Sequence, residues 1–164
     1  MTDSLLSSPS VARVRSALAL AGLDARIVEL PGAARTALAA AEYIGCAVAQ
    51  IANSLVFRGE ASGAALLVMA SGAHRVDLAR LAALAGEPAG RADATFVRDQ
   101  TGFAIGGVPP AGHATRLRCF VDESLARHDV IWAAAGHPQT VFPLSYGELL
   151  RLTGGTPATL AGAP

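Results

Sequence analysis

The sequence predicts one α/β domain of the α+β kind, a mixed β-sheet surrounded by helices. Strand-like and helix-like segments interleave over 164 residues without a strict βαβ rhythm, which disfavours a doubly wound sheet. The runs Ser54–Phe57 and Ala64–Ala70 are apolar but for Ser54, as strands covered on both faces are. Apolar residues make up 52% of the chain and aromatic residues only 5%, so the core is aliphatic and alanine-rich. A chain of this length forms one domain. It is read as residues 1–164, with an ordered core of about 10–155 and loose ends.

The elements follow from caps, periodicity and breakers. Ser10 is read as the cap of a helix to about Ala21, with Val11, Val14 and Leu18 on one face and Gly22 as its stop. Arg26–Leu30 alternates as a strand and ends at Pro31-Gly32. Thr36 caps a helix over Ala37–Ile44, closed by Gly45, and Ala47–Ala52 suits a short helical turn. The two apolar strands follow, around a turn at Arg58–Gly63. Asp77 caps Leu78–Ala85, and Gly86–Gly90 breaks the chain. Ala92–Gln100 suits a short helix, and Gly102–Gly112 a loop around a short strand. Arg116–Val121 is a strand, Asp122 caps a helical turn over Glu123–Arg127, and Val130–Ala135 and Thr140–Pro143 are strands. Ser145 caps a last helix, Tyr146–Leu152, ended by Gly154-Gly155.

Composition excludes several function classes. Thirteen basic and thirteen acidic side chains cancel, so there is no basic stripe of the kind that grips a nucleic-acid backbone. Together with the lack of a helix-turn-helix pattern, this opposes DNA as a partner. No apolar run reaches the roughly 20 residues of a membrane span, and no basic-then-apolar N-terminal leader is present, so a cytoplasmic location is expected. Cys46 and Cys119 have no metal-ligand spacing and read as buried thiols. His74 has no second histidine at ligand spacing, so no metal is expected. The apolar excess suits a monomer or a homodimer.

Four segments could carry chemistry. In Gly106-Gly107-Val108-Pro109-Pro110, glycines let amides approach a ligand and prolines stiffen the loop, so its N–H groups could hold a carbonyl oxygen or an oxyanion. The competing reading is an ordinary tight connection. Gly136-His137-Pro138 follows a buried strand, where a histidine faces either a cleft or solvent. Asn53 and Ser54 stand where a helical turn enters a strand, so Asn53 is either a donor to a carbonyl or a turn former. Ser71-Gly72-Ala73-His74 is a turn. Ser54, His137 and Asp122 can be assembled into a triad on paper, but nothing local supports it.

Six collinear blocks resemble the YbaK/EbsC family, relatives of the editing insertion domain of bacterial prolyl-tRNA synthetase. They are QIANSLVF (50–57), LLVMASGAHRVDLARL (66–81), TGFAIGGVPPAG (101–112), FVDESL (120–125), VIWAAAGHP (130–138) and LSYGELLRLTG (144–154). The resemblance implies a partly barrel-like mixed sheet wrapped by helices. It implies a deacylase acting in trans, which hydrolyses the ester of a small mischarged amino acid (alanine, cysteine or serine class) on tRNA, in particular tRNA(Pro). The implied partners are the aminoacylated 3′ end of tRNA and prolyl-tRNA synthetase, with no cofactor. Gly106, Gly107 and Pro110 match the family's Gly-x-x-x-Pro loop and are the implied catalytic segment. Thr36, Ser54, Ser71, Gly72, Gly136 and His137 are implied to border the substrate. The family lysine of Gln-Ile-x-Lys-Ser-Leu is Asn53 here, which carries no cation. The alternative expectation is therefore a catalytically weakened module that binds an amino acid or aminoacyl-tRNA.

Overall fold

The computed structural model describes residues 4–24 and 26–162. Within them lie five α-helices: α1 (Pro9–Leu20), α2 (Ala37–Ile44), α3 (Leu78–Ala85), α4 (Ala94–Thr101) and α5 (Tyr146–Thr153). The strands are β1 (Val28–Glu29), β2 (Ala52–Gly59), β3 (Ala65–Ser71), β4 (Ala89–Arg91), β5 (Arg118–Asp122), β6 (Ile131–Ala134), β7 (Thr140–Leu144) and β8 (Thr156–Ala158). They form a five-stranded sheet in the order β4-β2-β3-β5-β8 and a three-stranded sheet in the order β1-β7-β6. The larger sheet is mixed: β2 runs antiparallel to β3 and β4, while β3–β5 and β5–β8 are parallel. A parallel bridge between Ile51 and Trp132 joins the two sheets. The strands are therefore split between two sheets rather than held in one.

Helix ends follow the cap chemistry. Thr36, Asp77, Asp93 and Ser145 each accept a first-turn amide of α2 to α5, and Ser145 and Glu148 form a reciprocal pair. Each of these helices stops at a glycine in the left-handed region. α1 differs from expectation: Ser8, not Ser10, accepts from the Val11 amide, and Pro9 takes the first helical position, where a missing N–H costs nothing.

The ends also differ. Residues 1–3 and 163–164 lie outside the described set. Leu5–Ser7 forms a 3-10 turn held by the Glu29 carboxylate, which accepts from the Leu5 amide at 2.6 Å. Thr156–Ala158 pairs with β5, and Leu160 is 1% exposed. Proline is tolerated there because β8 is an edge strand. Gly102–Gly112 is a loop with no strand inside it.

Two apolar clusters sandwich the larger sheet. Leu67 and Met69 of β3 pack with Val56, Val121, Phe142 and Leu149 on one face. Leu66 and Val68 pack with Phe57, Leu81, Phe120 and Leu160 on the other. β3 is buried along its whole length, as its unbroken apolar run requires.

Asp122 ends β5 and ties three segments together. Its Oδ2 accepts from the Ser71 amide at 3.0 Å and lies 2.8 Å from His74 Nδ1, and its Oδ1 accepts from the Ser124 amide at 3.0 Å. Burial pushes the carboxyl up, but these hydrogen bonds outweigh it and hold the pKa below the ordinary carboxylate range. Its stabilisation is therefore complete above about pH 4 and fades as pH falls further. Asp122→Ala is expected to lose roughly 2–4 kcal/mol at pH 7 in urea unfolding, because it leaves buried donors unpaired. The difference from the native chain should shrink between about pH 4 and pH 2.

Candidate active site

A cleft of about 250 Å³ opens where the two sheets part company. β4 pairs with β2 only at Phe57–Gly59, and the Ala92 amide reaches the Val56 carbonyl at 3.3 Å. At the other end the Ile51–Trp132 bridge closes the gap. Between these points the edge of β2 away from β3 has no strand partner. Ile51 to Val56 form one wall and Trp132 to Ala134 the opposite one. An unpaired strand edge presents main-chain donors and acceptors. Carbonyl direction alternates along a strand, and the Val56 carbonyl points into the gap, so the main-chain groups of Ser54 face it too.

Side chains on β2 divide by the same period of two. Ala52 and Val56 belong to the cluster that contains Val108 and Ala133. Ser54 shares their face, and its hydroxyl lies 3.3 Å from Met69 Sδ. Asn53 shares the face of Leu55 and Phe57 and lines the cleft, and its side chain makes no hydrogen bond among the described residues.

The loop Ile105–Val108 closes a third side. At Gly107 a Cβ would stand 2.8–2.9 Å from the main chain of His137, so only glycine allows the two segments to touch. Gly106 has a φ of +88° and faces Pro138. The Gly107 amide donates to the Ala104 carbonyl at 3.0 Å, while the amides of Gly106 and Val108 have no partner among the described residues.

The start of α2 supplies the fourth side: Ala34, Arg35, Thr36, Ala37 and Ala40. Thr36 Oγ1 accepts from the Ala39 amide at 3.1 Å, which leaves its hydroxyl hydrogen free to donate. The helix N-terminus adds a positive partial charge. Gly72 seats α2 from below, since a Cβ there would meet the Val48 carbonyl at 2.6 Å and Ala37 Cβ at 2.7 Å.

Of the residues selected from sequence, Thr36, Asn53, Ser54 and Gly106 line the cleft together. Gly107 is packed behind Gly106 against His137. Gly136 and His137 lead into Pro138, which lines the cleft, although they do not line it themselves. His137 Nδ1 accepts from the Gln139 amide at 3.0 Å, so the neutral ring carries its hydrogen on Nε2. Pro110 lines a separate groove with Ala111–Leu117. Ser71 and Gly72 lie outside the cleft. The Ser71 hydroxyl donates to the Ala49 carbonyl, and its amide is held by Asp122. The paper triad does not assemble, because Asp122 faces His74 rather than His137.

Sequence reading did not select Arg35, Arg91, Ile105 or Trp132, all of which line the cleft. Arg91 ends β4, a three-residue strand that straddles the end of the break read at Gly86–Gly90, and no local pattern marks it. Arg35 could have been found by its place before the Thr36 cap.

Among the described residues, no carboxylate, histidine or thiol lines the cleft. Burial pushes the Cys119 thiol up to about 12, and Cys46 is raised for the same reason, so neither is a ready nucleophile. No group of three His, Cys, Asp or Glu among the described residues could hold a metal ion. Hydrogen-bond donors and acceptors, two arginines and a small apolar floor remain.

Known proteins share this fold. The model of the aminoacyl-tRNA editing domain matches residues 32–152. The uncharacterized protein YwhH of Bacillus subtilis (strain 168) is 33% identical over 123 residues, covering 75% of this chain and 78% of its own. A solved structure described as a candidate trans-editing enzyme for prolyl tRNA synthetase is 46% identical, with a TM-score of 0.89 over 95% of this chain and 99% of its own. The hypothetical protein APE2540 superposes with a TM-score of 0.83 at 27% identity, over 90% of this chain and 98% of its own. With its fold and most of its length matched in this way, the chain belongs to the aminoacyl-tRNA editing domain family.

Proposed function

We propose that this chain is a deacylase acting in trans, which hydrolyses the ester between a small amino acid and the terminal ribose of tRNA, with tRNA(Pro) as the carrier. The observation that carries this reading is the cleft itself, lined both by Gly106 and Val108, whose amides have no partner among the described residues, and by the unpaired edge of β2. In ester hydrolysis, water adds to the acyl carbon and the carbonyl oxygen becomes an oxyanion. The bond to the ribose oxygen then breaks, releasing the free amino acid and a ribose hydroxyl. Fixed N–H donors suit the oxyanion, and main-chain carbonyls on the β2 edge suit the amino acid's ammonium group. The walls include Ala40, Ile51, Ala52, Ala133 and Val141, small and apolar groups that suit a small side chain. The carrier tRNA follows the 46%-identical relative described as a candidate trans-editing enzyme for prolyl tRNA synthetase.

The chain contains no lysine, so every basic side chain is an arginine. Arg35 and Arg91 are exposed, line the cleft and have no ion-pair partner among the described residues. They can meet the phosphates of the tRNA end in place of a cation at residue 53. Asn53 supports the second reading, a module that binds aminoacyl-tRNA with little turnover.

A panel of mischarged alanyl-, cysteinyl- and seryl-tRNA tests the function. Acceleration of hydrolysis over the buffer rate is expected for at least one, and no acceleration at high enzyme concentration refutes the deacylase. Gly107→Ala forces the loop away from His137 and is expected to lower kcat roughly 100-fold. Loss of Arg35 and Arg91 together should weaken tRNA binding for every amino acid alike and reduce the salt slope of log affinity by about 2. Asn53→Lys is expected to change the deacylation rate less than about threefold. A much larger gain would favour the weakened binding module.

A further inference from the structure

The loop that carries the Gly106 and Val108 amides is poorly fixed by its own main chain. From Ala104 to Gly112 a single main-chain hydrogen bond lies within it, Gly107 N–H to the Ala104 carbonyl. Pro109 and Pro110 have no N–H to contribute. Pro109 is nevertheless buried, and its carbonyl takes its hydrogen bond from His113 Nε2 at 2.6 Å. A carbonyl oxygen only accepts, so the hydrogen sits on Nε2. Burial pushes the His113 pKa down, with the Pro109 contact opposing it, so the ring is neutral at pH 7.

The ring is itself held by aromatic packing. It stands edge-on to Phe103, with centroids 6.5 Å apart and planes at 87°. Phe103 is 1% exposed, and the Arg13 guanidinium of α1 lies 4.5 Å from its ring centroid. Arg13 also donates to the Gly102 carbonyl at 2.8 Å, at the start of the same loop. Helix α1, Phe103 and His113 thus form a continuous packed path to the Pro109 carbonyl, one residue beyond Val108. The hydrogen bond from His113 is the one side-chain hydrogen bond to residues 104–112 among the described residues.

We infer that His113 is the positioning residue of the cleft loop: its Nε2–H latches the Pro109 carbonyl and thereby aims the Gly106 and Val108 amides at the acyl oxygen. His113 does not line the cleft, so it acts through the loop and not on substrate. The kinetic part rests on the deacylase reading; the loop geometry does not.

The test compares the full chain with His113→Leu, which removes the donor, and His113→Gln, whose amide can donate from about the same place. Hydrogen exchange at Gly107, whose amide bond depends on the loop's shape, is read against exchange in β3 as a control for folding. The latch predicts exchange at Gly107 about tenfold faster in His113→Leu, restored to within about threefold in His113→Gln, with β3 unchanged. On an accepted mischarged tRNA it predicts kcat about tenfold lower in His113→Leu at nearly constant KM, recovered in His113→Gln. Unchanged Gly107 exchange in His113→Leu overturns the inference, as does a His113→Gln variant as impaired as His113→Leu. So does a loss of thermal stability in His113→Leu with kcat intact, which marks a merely structural hydrogen bond. If the native chain hydrolyses no substrate, the deacylase reading fails, and the exchange measurement alone decides the latch.

Discussion

The site depends on one missing set of hydrogen bonds. β2 is paired on its β3 side from Ala52 to Arg58, but on its other side it has partners only at its two ends. A buried strand edge without partners is costly unless something polar fills it. The two sheets diverge at this place instead of closing into a full barrel, which leaves room for a ligand whose own polar groups complete the edge. Closing the gap with one more strand would satisfy β2 and erase the cleft.

The surrounding structure keeps that gap open and shaped. Gly107 lets the loop lie directly on the main chain of His137, and Gly136 lets that segment lie against Ser10 of α1, where a Cβ would come within 2.9 Å of a carbonyl. Gly72 seats the start of α2. These are contacts of backbone with backbone or with a first side-chain carbon, so they cannot relax as a flexible side chain does. The site's polarity comes from main-chain groups together with neutral side chains such as Thr36 and Asn53 and the guanidinium groups of Arg35 and Arg91. Such a site does not need a strongly shifted side-chain pKa, and shifted groups such as Asp122, Cys119 and His113 lie outside it.

Much of this was legible in the sequence where the cause is local. The caps at Thr36, Asp77 and Ser145 and the glycine stops after them follow from side-chain reach and left-handed backbone, and they set α2, α3 and α5. The loop at residues 106–110 was legible for the same reason, since glycines followed by prolines mean a close and stiff backbone. What local pattern does not encode is pairing. β4 and β8 are three residues long and contain glycine or proline, so they exist only because β2 and β5 offer an edge. Arg91 reaches the cleft through β4 and was invisible with it. Ser71 was selected for its place in a turn, yet its hydroxyl is used by Ala49, a contact 22 residues away in sequence. Asn53 was selected by position, whereas strand alternation gives the neighbouring Ser54 the face shared with Ala52 and Val56.

The central claim is that main-chain groups on the 106–108 loop and the β2 edge hold the acyl group. Amide-proton shifts of the labelled chain, titrated with an adenosine carrying alanine through a stable 3′ amide, address it most directly. Shifts centred on the amides of Gly106, Val108 and Ser54 are predicted. Shifts confined to the groove at Ala111–Leu117 or to the His74–Asp122 corner, with those three amides unmoved, would contradict it.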